Sequence, residues 1–343
     1  METPTRRRML EAAIGGTAGL VLGPPLARFG MAHAQDAGRS ATGQRAGAAI
    51  ASQRLGEGLH LLTVDQTHVV AQTGPEGVVL VDGASAAASE ALLAAVAGLP
   101  SSGPVHTLFN THWHPEQTGS NERLGRAGAT IIAQENTRLW LTTDITYPWD
   151  GQHFEPLPEI AQPNETFFDD GELDTGARYG YLRHAAHTDG DLYVYFPEAD
   201  VLVAGDAASG AGWPVVDWWT GGWMGGIVGT HELLVALSGA ETRIVPARGR
   251  ILTRADLEKQ LEMYNVIYER LVALLNSGRG PDEAVEARPT QEFDAQMGPS
   301  DVFVRRAFES LWAYLSPDAR LETRRDETRR VARNSREQLD SSV

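Results

Sequence analysis

Two histidines that flank a single tryptophan are the residues of this sequence best placed to do chemistry. His112 and His114 follow the run Val105–Asn110, which reads as a β-strand. In extended backbone, residues i and i+2 point to the same side, so both imidazoles can face one point while Trp113 points away into the core. Two neutral imidazoles at the end of a strand supply half of a zinc site. The alternative is a pair of partly exposed loop histidines.

Two later segments carry further groups that can bind a metal ion. His187 lies in the segment His184–Asp191 before an alternating strand, and Asp206 ends the apolar strand predicted at Val201–Ala204. Strand ends are where α/β proteins gather functional groups, so three histidines and one aspartate can form a single site. Because the chain contains no cysteine, disulfides, cysteine-ligated zinc and a thiol nucleophile are excluded.

These segments, in this order, resemble the motifs of the metallo-β-lactamase superfamily. The resemblance covers residues 55–250 and includes the stretches Val79–Gly83, Thr111–Pro115, His187–Asp191, Gly205-Asp206 and Pro246–Gly249. It implies an α/β fold, a four-layer αββα sandwich with metals at one edge of its two sheets. It also implies that His112, His114 and His187 hold a first metal ion, and that Asp206 bridges it to a second.

The second metal position implied by this resemblance is rebuilt in the present chain. The family's His-x-His-x-Asp-His motif reads His-Trp-His-Pro-Glu-Gln at residues 112–117, and Arg248 stands where the last motif carries a histidine. Gln is a poor zinc ligand, and a guanidinium stays protonated and cannot ligate. We therefore hypothesise one metal ion, with Arg248 supplying the positive charge of the other through pairs with Glu116 and Asp206.

Three histidines with an open position match the zinc arrangement that lowers the pKa of bound water to about 7. The sequence thus predicts a hydrolase that uses hydroxide held on the metal, in which Glu116 and Asp206 manage the proton and Arg248 supports the charge. Zinc is the expected cofactor, and iron and manganese accept the same ligands. Gln117 and Asp82 are expected beside the ligands, where Asp82 either orients an imidazole or is structural.

The expected substrate is a small molecule with an ester, lactone, amide, thioester, phosphate or sulfate bond. Four alternatives remain open. In the first, the chain is a binding protein that keeps the fold with one metal ion or none. In the second, Arg248 binds an anionic group of the substrate. In the third, a two-metal site recruits His184, which is otherwise a loop histidine, and in the fourth, iron bound by the three histidines serves a redox reaction.

A glycine-rich loop after Asp206 holds four of the eight tryptophans. Ordering such a loop costs conformational entropy unless its rings pack against other parts of the protein. In one interpretation the loop is a substrate wall beside the metal ion, and in the other it packs against the C-terminal helices. We expect Trp213 and Trp218 to line the site and Trp219 and Trp223 to belong to the core.

The first 34 residues have the pattern of an export signal. Arg6-Arg7 precedes a weakly apolar stretch from Ala12 to Leu26, and Ala32-His33-Ala34 has the small residues of a cleavage site. The arginine pair resembles a twin-arginine signal, which implies recognition by the twin-arginine export machinery and a periplasmic or secreted protein. An ordinary secretory signal with a chance arginine run is the alternative.

The elements that must position these residues fit one catalytic domain followed by helices. We predict a flexible lead over residues 35–55, the sandwich over 56–252, and a helical extension with a polar tail over 253–343. Apolar residues recur at three- and four-residue spacing from Leu257 to Leu275, which indicates an amphipathic helix; Thr253 and Asp256 suit its start and Gly278 its end. A second helix is expected over 301–315.

The composition limits the partners. The chain has 343 residues and a formal net charge of −16, and an acidic protein repels phosphate backbones, so nucleic acid is not an expected partner. No run of about 18 apolar residues follows the N-terminal segment, so no transmembrane anchor is predicted in the mature chain. Neither composition nor spacing predicts an oligomeric state.

Overall fold

The computed structural model describes residues 50–315. The predicted export signal, residues 35–49 of the predicted lead and the tail after residue 315 lie outside the described residues. In chain order the strands are Ala51–Gly56 (β1), Leu59–Val64 (β2), Thr67–Gly74 (β3), Gly77–Val81 (β4), Val105–Asn110 (β5), Thr130–Gln134 (β6), Ile145–Thr146 (β7), His153–Phe154 (β8), Glu165–Phe167 (β9), Gly171–Glu172 (β10), Arg178–Tyr181 (β11), Leu192–Phe196 (β12), Val201–Gly205 (β13) and Arg243–Pro246 (β14).

The strands form two large sheets and one small hairpin. The first sheet has the order β1-β2-β3-β4-β5-β6-β9, in which β1 to β4 are antiparallel and β4, β5, β6 and β9 are parallel. The second has the order β10-β11-β12-β13-β14 and is antiparallel except for the parallel pair β13–β14. Strands β7 and β8 form the hairpin.

Helices cover the outer face of each sheet. In chain order they are Ser89–Ala97 (α1), Pro115–Thr118 (α2), Asn121–Arg126 (α3), Glu135–Leu141 (α4), Met224–Leu237 (α5), Arg254–Asn276 (α6), Pro281–Glu286 (α7), Asp294–Met297 (α8) and Asp301–Leu315 (α9). Within residues 50–315, no helix combines the length and apolar character needed to cross a bilayer.

Alternation along the strands builds three apolar layers. On β4, Val79 and Val81 face the second sheet, while Val78 and Leu80 face the helix layer that includes Leu92. This period of two is what separates the inner from the outer core. The outer face of the second sheet packs against α5, α6 and α9. The predicted four-layer αββα sandwich with a helical C-terminal region is therefore confirmed.

The long helix α6 begins and ends where the sequence predicts. Thr253 caps it by accepting a hydrogen bond from the Asp256 amide, while the Asp256 carboxylate accepts one from the Thr253 amide. Gly278, just beyond the last turn, has a φ of 76°, a conformation that glycine adopts without steric cost. The second predicted helix, over residues 301–315, is also present.

The predicted flexible lead was wrong at its end. Ala51–Gly56 forms β1, an edge strand paired with β2. Most side chains of β1 are exposed, so no apolar alternation marks it in the sequence. The strand is held by backbone hydrogen bonds to its neighbour, and these are independent of side-chain type.

Candidate metal centre

Strands of both sheets end immediately before the residues singled out in the sequence. Strand β4 leads into Asp82, β5 into the loop 111–114, β13 into Asp206, and β14 ends two residues before Arg248. The pairs β4–β5 and β13–β14 are parallel, so the two strands of each pair end at the same edge of their sheet. The candidate functional side chains therefore lie at this edge, where the carboxyl ends of parallel strands usually carry functional groups.

Three imidazoles converge at this edge. The ring centroids of His112 and His114 lie 4.9 Å apart, and each lies close to the ring of His187, at 4.6 and 4.7 Å respectively. All three histidines are buried. One ligand atom from each ring and one oxygen of Asp206 all lie within 4.8 Å of one another. The fold therefore brings together the four residues predicted as ligands.

The ring nitrogens that face this centre fit a metal ion. Nε2 of His112 and Nε2 of His187 are buried and make no hydrogen bond within the described part of the chain. They lie 3.6 and 4.0 Å from Oδ2 of Asp206. Leaving buried polar atoms unpaired is costly, and a cation between these nitrogens and the carboxylate would satisfy all of them. Three imidazoles and one carboxylate suit zinc, iron or manganese.

His112 is oriented through Thr111 and Asp82. The Thr111 amide and hydroxyl donate to the Asp82 carboxylate, and the hydroxyl oxygen lies 3.1 Å from Nδ1 of His112. Burial raises the pKa of Asp82 to about 8, and a cation at the centre would favour its ionised form. With Asp82 ionised, the hydroxyl accepts from Nδ1–H, which turns the lone pair of Nε2 toward the centre. Asp82 thus acts on the imidazole through Thr111.

His112 itself is held neutral, which is the form that binds metals. Burial and the neighbouring rings of His187 and His114 lower the pKa of His112 well below its usual value. A neutral imidazole with one nitrogen committed to a hydrogen bond presents the other as a ligand. The surroundings of His112 therefore leave Nε2 of a neutral imidazole available to bind a metal ion.

His114 is oriented by two residues that the sequence analysis missed. Its Nε2 lies 3.0 Å from Oδ2 of Asp217 and 3.1 Å from the hydroxyl of Tyr147, which donates to the same carboxylate oxygen at 2.7 Å. Burial alone would raise the pKa of Asp217, but hydrogen bonds from His114, Thr220 and Tyr147 hold it below its usual value. With Nε2 committed to Asp217, Nδ1 is the nitrogen of His114 left to ligate.

The segment after β11 holds His187 in place. The Asp191 carboxylate accepts hydrogen bonds from the amides of His187 and Thr188 and from the Thr188 hydroxyl. Oδ1 of Asp191, the oxygen that accepts from the Thr188 hydroxyl, lies 3.5 Å from Nδ1 of His187. Thr188 and Asp191 thus fix the loop, and Nε2 of His187 lies 4.0 Å from Oδ2 of Asp206. Each of the three imidazoles has a different outer partner, an arrangement typical of metal-ligating histidines.

Arg248 reaches the same centre from the second sheet. One nitrogen of its guanidinium lies 3.0 Å from Asp206 and 3.3 Å from Glu116. Burial alone would raise the pKa of Asp206, but the charge of Arg248 holds it below its usual range. Gln117 is fully buried, and both of its amide atoms are without a hydrogen-bond partner among the described residues. The structure therefore places Glu116 and Arg248 together, next to the ligand group.

Asp217 and Tyr147 gave little signal in the sequence. Asp217 stands inside the tryptophan-rich loop, and Tyr147 lies in the segment between α4 and β8, where no motif marks it. The only available clue was a carboxylate within an otherwise apolar loop, since a buried carboxylate requires partners. Those partners are distant in sequence, so the loop alone did not reveal them.

Two rings of the tryptophan loop pack against the C-terminal helices, while the role of the loop as a substrate wall stays a prediction. Trp213 stacks on Phe303 of α9 at 4.7 Å and donates to the carbonyl of Gly298, so this ring packs against the C-terminal helices. Trp223 stacks on Tyr314, as a core residue would. The core assignment of Trp219 was wrong, because this side chain is 38% exposed. Exposure is allowed there because the loop turns at residues 218–220 and aims Trp219 outward.

Trp218 and Trp113 take different positions relative to the ligands. The indole of Trp218 lies 5.8 Å from that of Trp149 and donates to Glu309. Its role in substrate binding stays a prediction. Trp113 is buried in a small cluster with Tyr147, and its indole donates to the hydroxyl of Thr220, so it is a core residue, as predicted. His184 is exposed and faces Gly229 of α5, and it is not part of the ligand group.

Comparison with known proteins identifies the family. Residues 62–262, more than half of the chain, match the sequence pattern of the metallo-beta-lactamase superfamily. A metallo-beta-lactamase from Pontibacter korlensis shares 18% identity and superposes with a TM-score of 0.52 over 63% of this chain and 99% of its own. For the DIM-1 metallo-beta-lactamase the values are 14%, 0.51, 64% and 98%. Those two structures establish the fold, and the extent of the sequence match shows that this chain belongs to the metallo-beta-lactamase superfamily.

Proposed function

We propose that this protein is a hydrolase that works with a single metal ion, zinc, held by His112, His114 and His187 beside Asp206. The observation that carries the proposal is the contact of Arg248 with both Glu116 and Asp206. A guanidinium cannot ligate a metal, yet it supplies positive charge to the carboxylates around it. The second position thus already contains a cation that belongs to the chain.

A zinc ion bound by these residues would polarise the bond under attack and lower the pKa of a water molecule toward 7. The chain's own residues then divide the remaining work. Glu116, which is partly exposed, accepts the proton from the attacking water. Asp206, kept ionised by Arg248, orients that water. The guanidinium of Arg248 stabilises negative charge that develops on the substrate.

The substrate is a small molecule with an acyl, phosphoryl or sulfuryl bond, because each of these reactions develops negative charge on oxygen near a cation. The fold does not choose among these bonds. A panel of generic esters, a cephalosporin and phosphodiesters distinguishes them. We expect at least one class to be hydrolysed, the activity to be lost with a chelator, and zinc to restore it.

Metal analysis of the purified mature protein tests the proposal directly. We expect one equivalent of zinc per chain, and two tightly bound equivalents would contradict the role given to Arg248. If the purified protein showed the visible absorption of bound iron, iron would take the place of zinc in the proposal. A chain that keeps its metal and hydrolyses nothing in the panel would instead support a binding protein built on this fold.

We further propose that the twin-arginine machinery exports the precursor and that the mature protein is periplasmic or secreted. The arginine pair Arg6-Arg7, the weakly apolar stretch after it and the small residues at 32–34 support this. Changing both arginines to lysine tests it. We expect the variant precursor to stay in the cytoplasmic fraction, whereas unchanged export would indicate an ordinary secretory signal.

A further inference from the structure

A second positively charged group lies near the candidate metal centre, on the C-terminal helix α9. The guanidinium carbon of Arg306 lies 4.0 Å from the ring centroid of Trp149. The Trp149 ring lies 4.2 Å from that of Tyr147, whose hydroxyl is 3.1 Å from Nε2 of His114. Arg306 is therefore separated from a predicted metal ligand by two aromatic side chains in contact.

The guanidinium of Arg306 forms no ion pair with the described residues. Across residues 50–315, no carboxylate lies within ion-pair distance of it and no hydrogen bond to it is formed. The preceding residue on the helix, Arg305, pairs with Asp282 at 2.6 Å. Arg306 is half-buried, and burial lowers its pKa from the usual value. A half-buried guanidinium that rests on a ring face, and donates to no group in the described part of the chain, has donors available for a ligand.

The acids closest to Arg306 are committed elsewhere. Asp217 accepts hydrogen bonds from His114, Tyr147 and Thr220. Glu309 accepts from the indole of Trp218, and Asp150 accepts from the Gln152 amide. These carboxylates moderate the positive potential but leave the guanidinium fork open. A singly charged ligand suits such a place better than a dianion, which the same carboxylates would repel.

A row of aromatic rings extends from the ring on which the Arg306 guanidinium rests. The Trp218 ring lies 5.8 Å from Trp149, and the Trp219 ring lies 5.7 Å from Trp218 and is exposed to solvent. The indole nitrogen of Trp149 is buried without a hydrogen-bond partner in the described part of the chain. Apolar rings around one convergent charged group are typical of small-molecule sites, in which the rings bind the body of the ligand and the charge sets its orientation.

We propose that Arg306, Trp149, Trp218 and Trp219 form a subsite for a carboxylate carried on a planar apolar body. A carboxylate matches the fork of a single guanidinium in two hydrogen bonds, which favours it over larger anions. Resting on the proposed function, this assigns the substrate class as aromatic or similarly flat monocarboxylic acids that carry the hydrolysable bond. Of the four residues, Arg306 alone lies beyond the family match, which ends at residue 262, because it stands on helix α9.

Calorimetric titration of the purified full chain with naphthalene-2-carboxylate and with naphthalene-2-carboxamide tests the subsite. We expect the carboxylate to bind at least about tenfold more tightly than the amide, the ratio expected for hydrogen bonds to a charged group. Arg306→Met should abolish that difference. Arg306→Lys keeps the charge without the planar fork and should retain only part of it. Arg305→Met, the neighbouring control, should leave both affinities unchanged.

Equal affinity of the wild type for the two compounds would overturn the subsite, and so would unchanged carboxylate binding by Arg306→Met, which would place the carboxylate at the metal centre. The first result needs no variant, so it stands even if Arg306→Met does not fold. The readout is binding rather than turnover. A chain that hydrolyses nothing can still show the subsite, and an active chain can still lack it.

Discussion

The two metal positions implied by the superfamily motifs are built differently in this protein. At the first position His112, His114 and His187 are buried, and each has its own outer partner in Thr111, Asp217 or Asp191. The second position contains Glu116 and Arg248, which are partly exposed and paired with each other, and a buried Gln117 whose side-chain amide has no hydrogen-bond partner among residues 50–315. Buried oriented imidazoles bind a cation, whereas a partly exposed ion pair adds little stability. The first position is thus the one organised for a metal.

The second position also differs from a metal site in its charge. A guanidinium carries one positive charge where a divalent ion would carry two, and it has no vacant position for water. Arg248 can therefore keep Asp206 ionised and stabilise negative charge, but it cannot activate a nucleophile. The proton and the water are left to the first position and to Glu116.

The largest effect is expected from removing one ligand of the first position. We expect His187→Ala to lose its metal on dialysis and its hydrolytic activity with it, because the variant lacks one of the three imidazole ligands of the first position and binds the ion more weakly. Elemental analysis after dialysis measures the metal. His184→Ala is the matched control, an exposed histidine three residues earlier that should change neither property. A full equivalent retained by His187→Ala would remove this histidine from the site.

The second-largest effect is expected from rebuilding the second metal position. The triple variant Glu116→Asp, Gln117→His, Arg248→His restores the superfamily pattern, and we expect it to bind two metal equivalents per chain instead of one. The added imidazoles replace an amide and a guanidinium that cannot serve as ligands of zinc. Arg248→His alone, with Gln117 still in place, is the control and should bind one. A triple variant that still binds one equivalent would show that more than these side chains prevents a second ion.

A smaller effect is expected from the outer partner of His114. Asp217→Asn removes the carboxylate that holds Nε2, and we expect metal affinity to fall by about 10–100-fold, as for other outer partners of ligating histidines. Competition with a chromogenic chelator measures the affinity. Asp150→Asn, an exposed aspartate nearby, should have no effect. Unchanged affinity in Asp217→Asn would show that the first position does not depend on this hydrogen bond.

The smallest effect should come from Thr111. Thr111→Val keeps the shape of the side chain but removes the hydroxyl that links Asp82 to His112, and we expect the free energy of unfolding to fall by about 1–3 kcal/mol from the unsatisfied buried groups. Metal affinity should fall less than in Asp217→Asn, since the Thr111 amide still holds Asp82. Urea denaturation measures the stability, and Thr111→Ser, which keeps the hydroxyl, should restore it. No loss in Thr111→Val would argue against the Thr111 link.

The resemblance to the superfamily predicted the fold, whereas local patterns predicted the ligand group and the C-terminal helices. The capping residues Thr253 and Asp256 marked the start of α6, and Gly278 marked its end. The edge strand β1 was not predicted, because most of its side chains are exposed and backbone hydrogen bonds hold it to its neighbour. The placement of Trp219 was wrong for a related reason, since its exposure depends on how the loop turns.

The sequence by itself determined which groups can bind a cation, because ligand type, the i, i+2 spacing of His112 and His114 and the position of Asp206 at a strand end are local properties of the chain. Only the tertiary structure decided which nitrogen of each imidazole faces the centre. That choice depends on outer partners such as Asp217, which lies 103 residues from His114 along the chain. Hydrogen bonds between side chains so far apart have no periodic signature, and packing of the two sheets and the loop is what brings them within 3 Å.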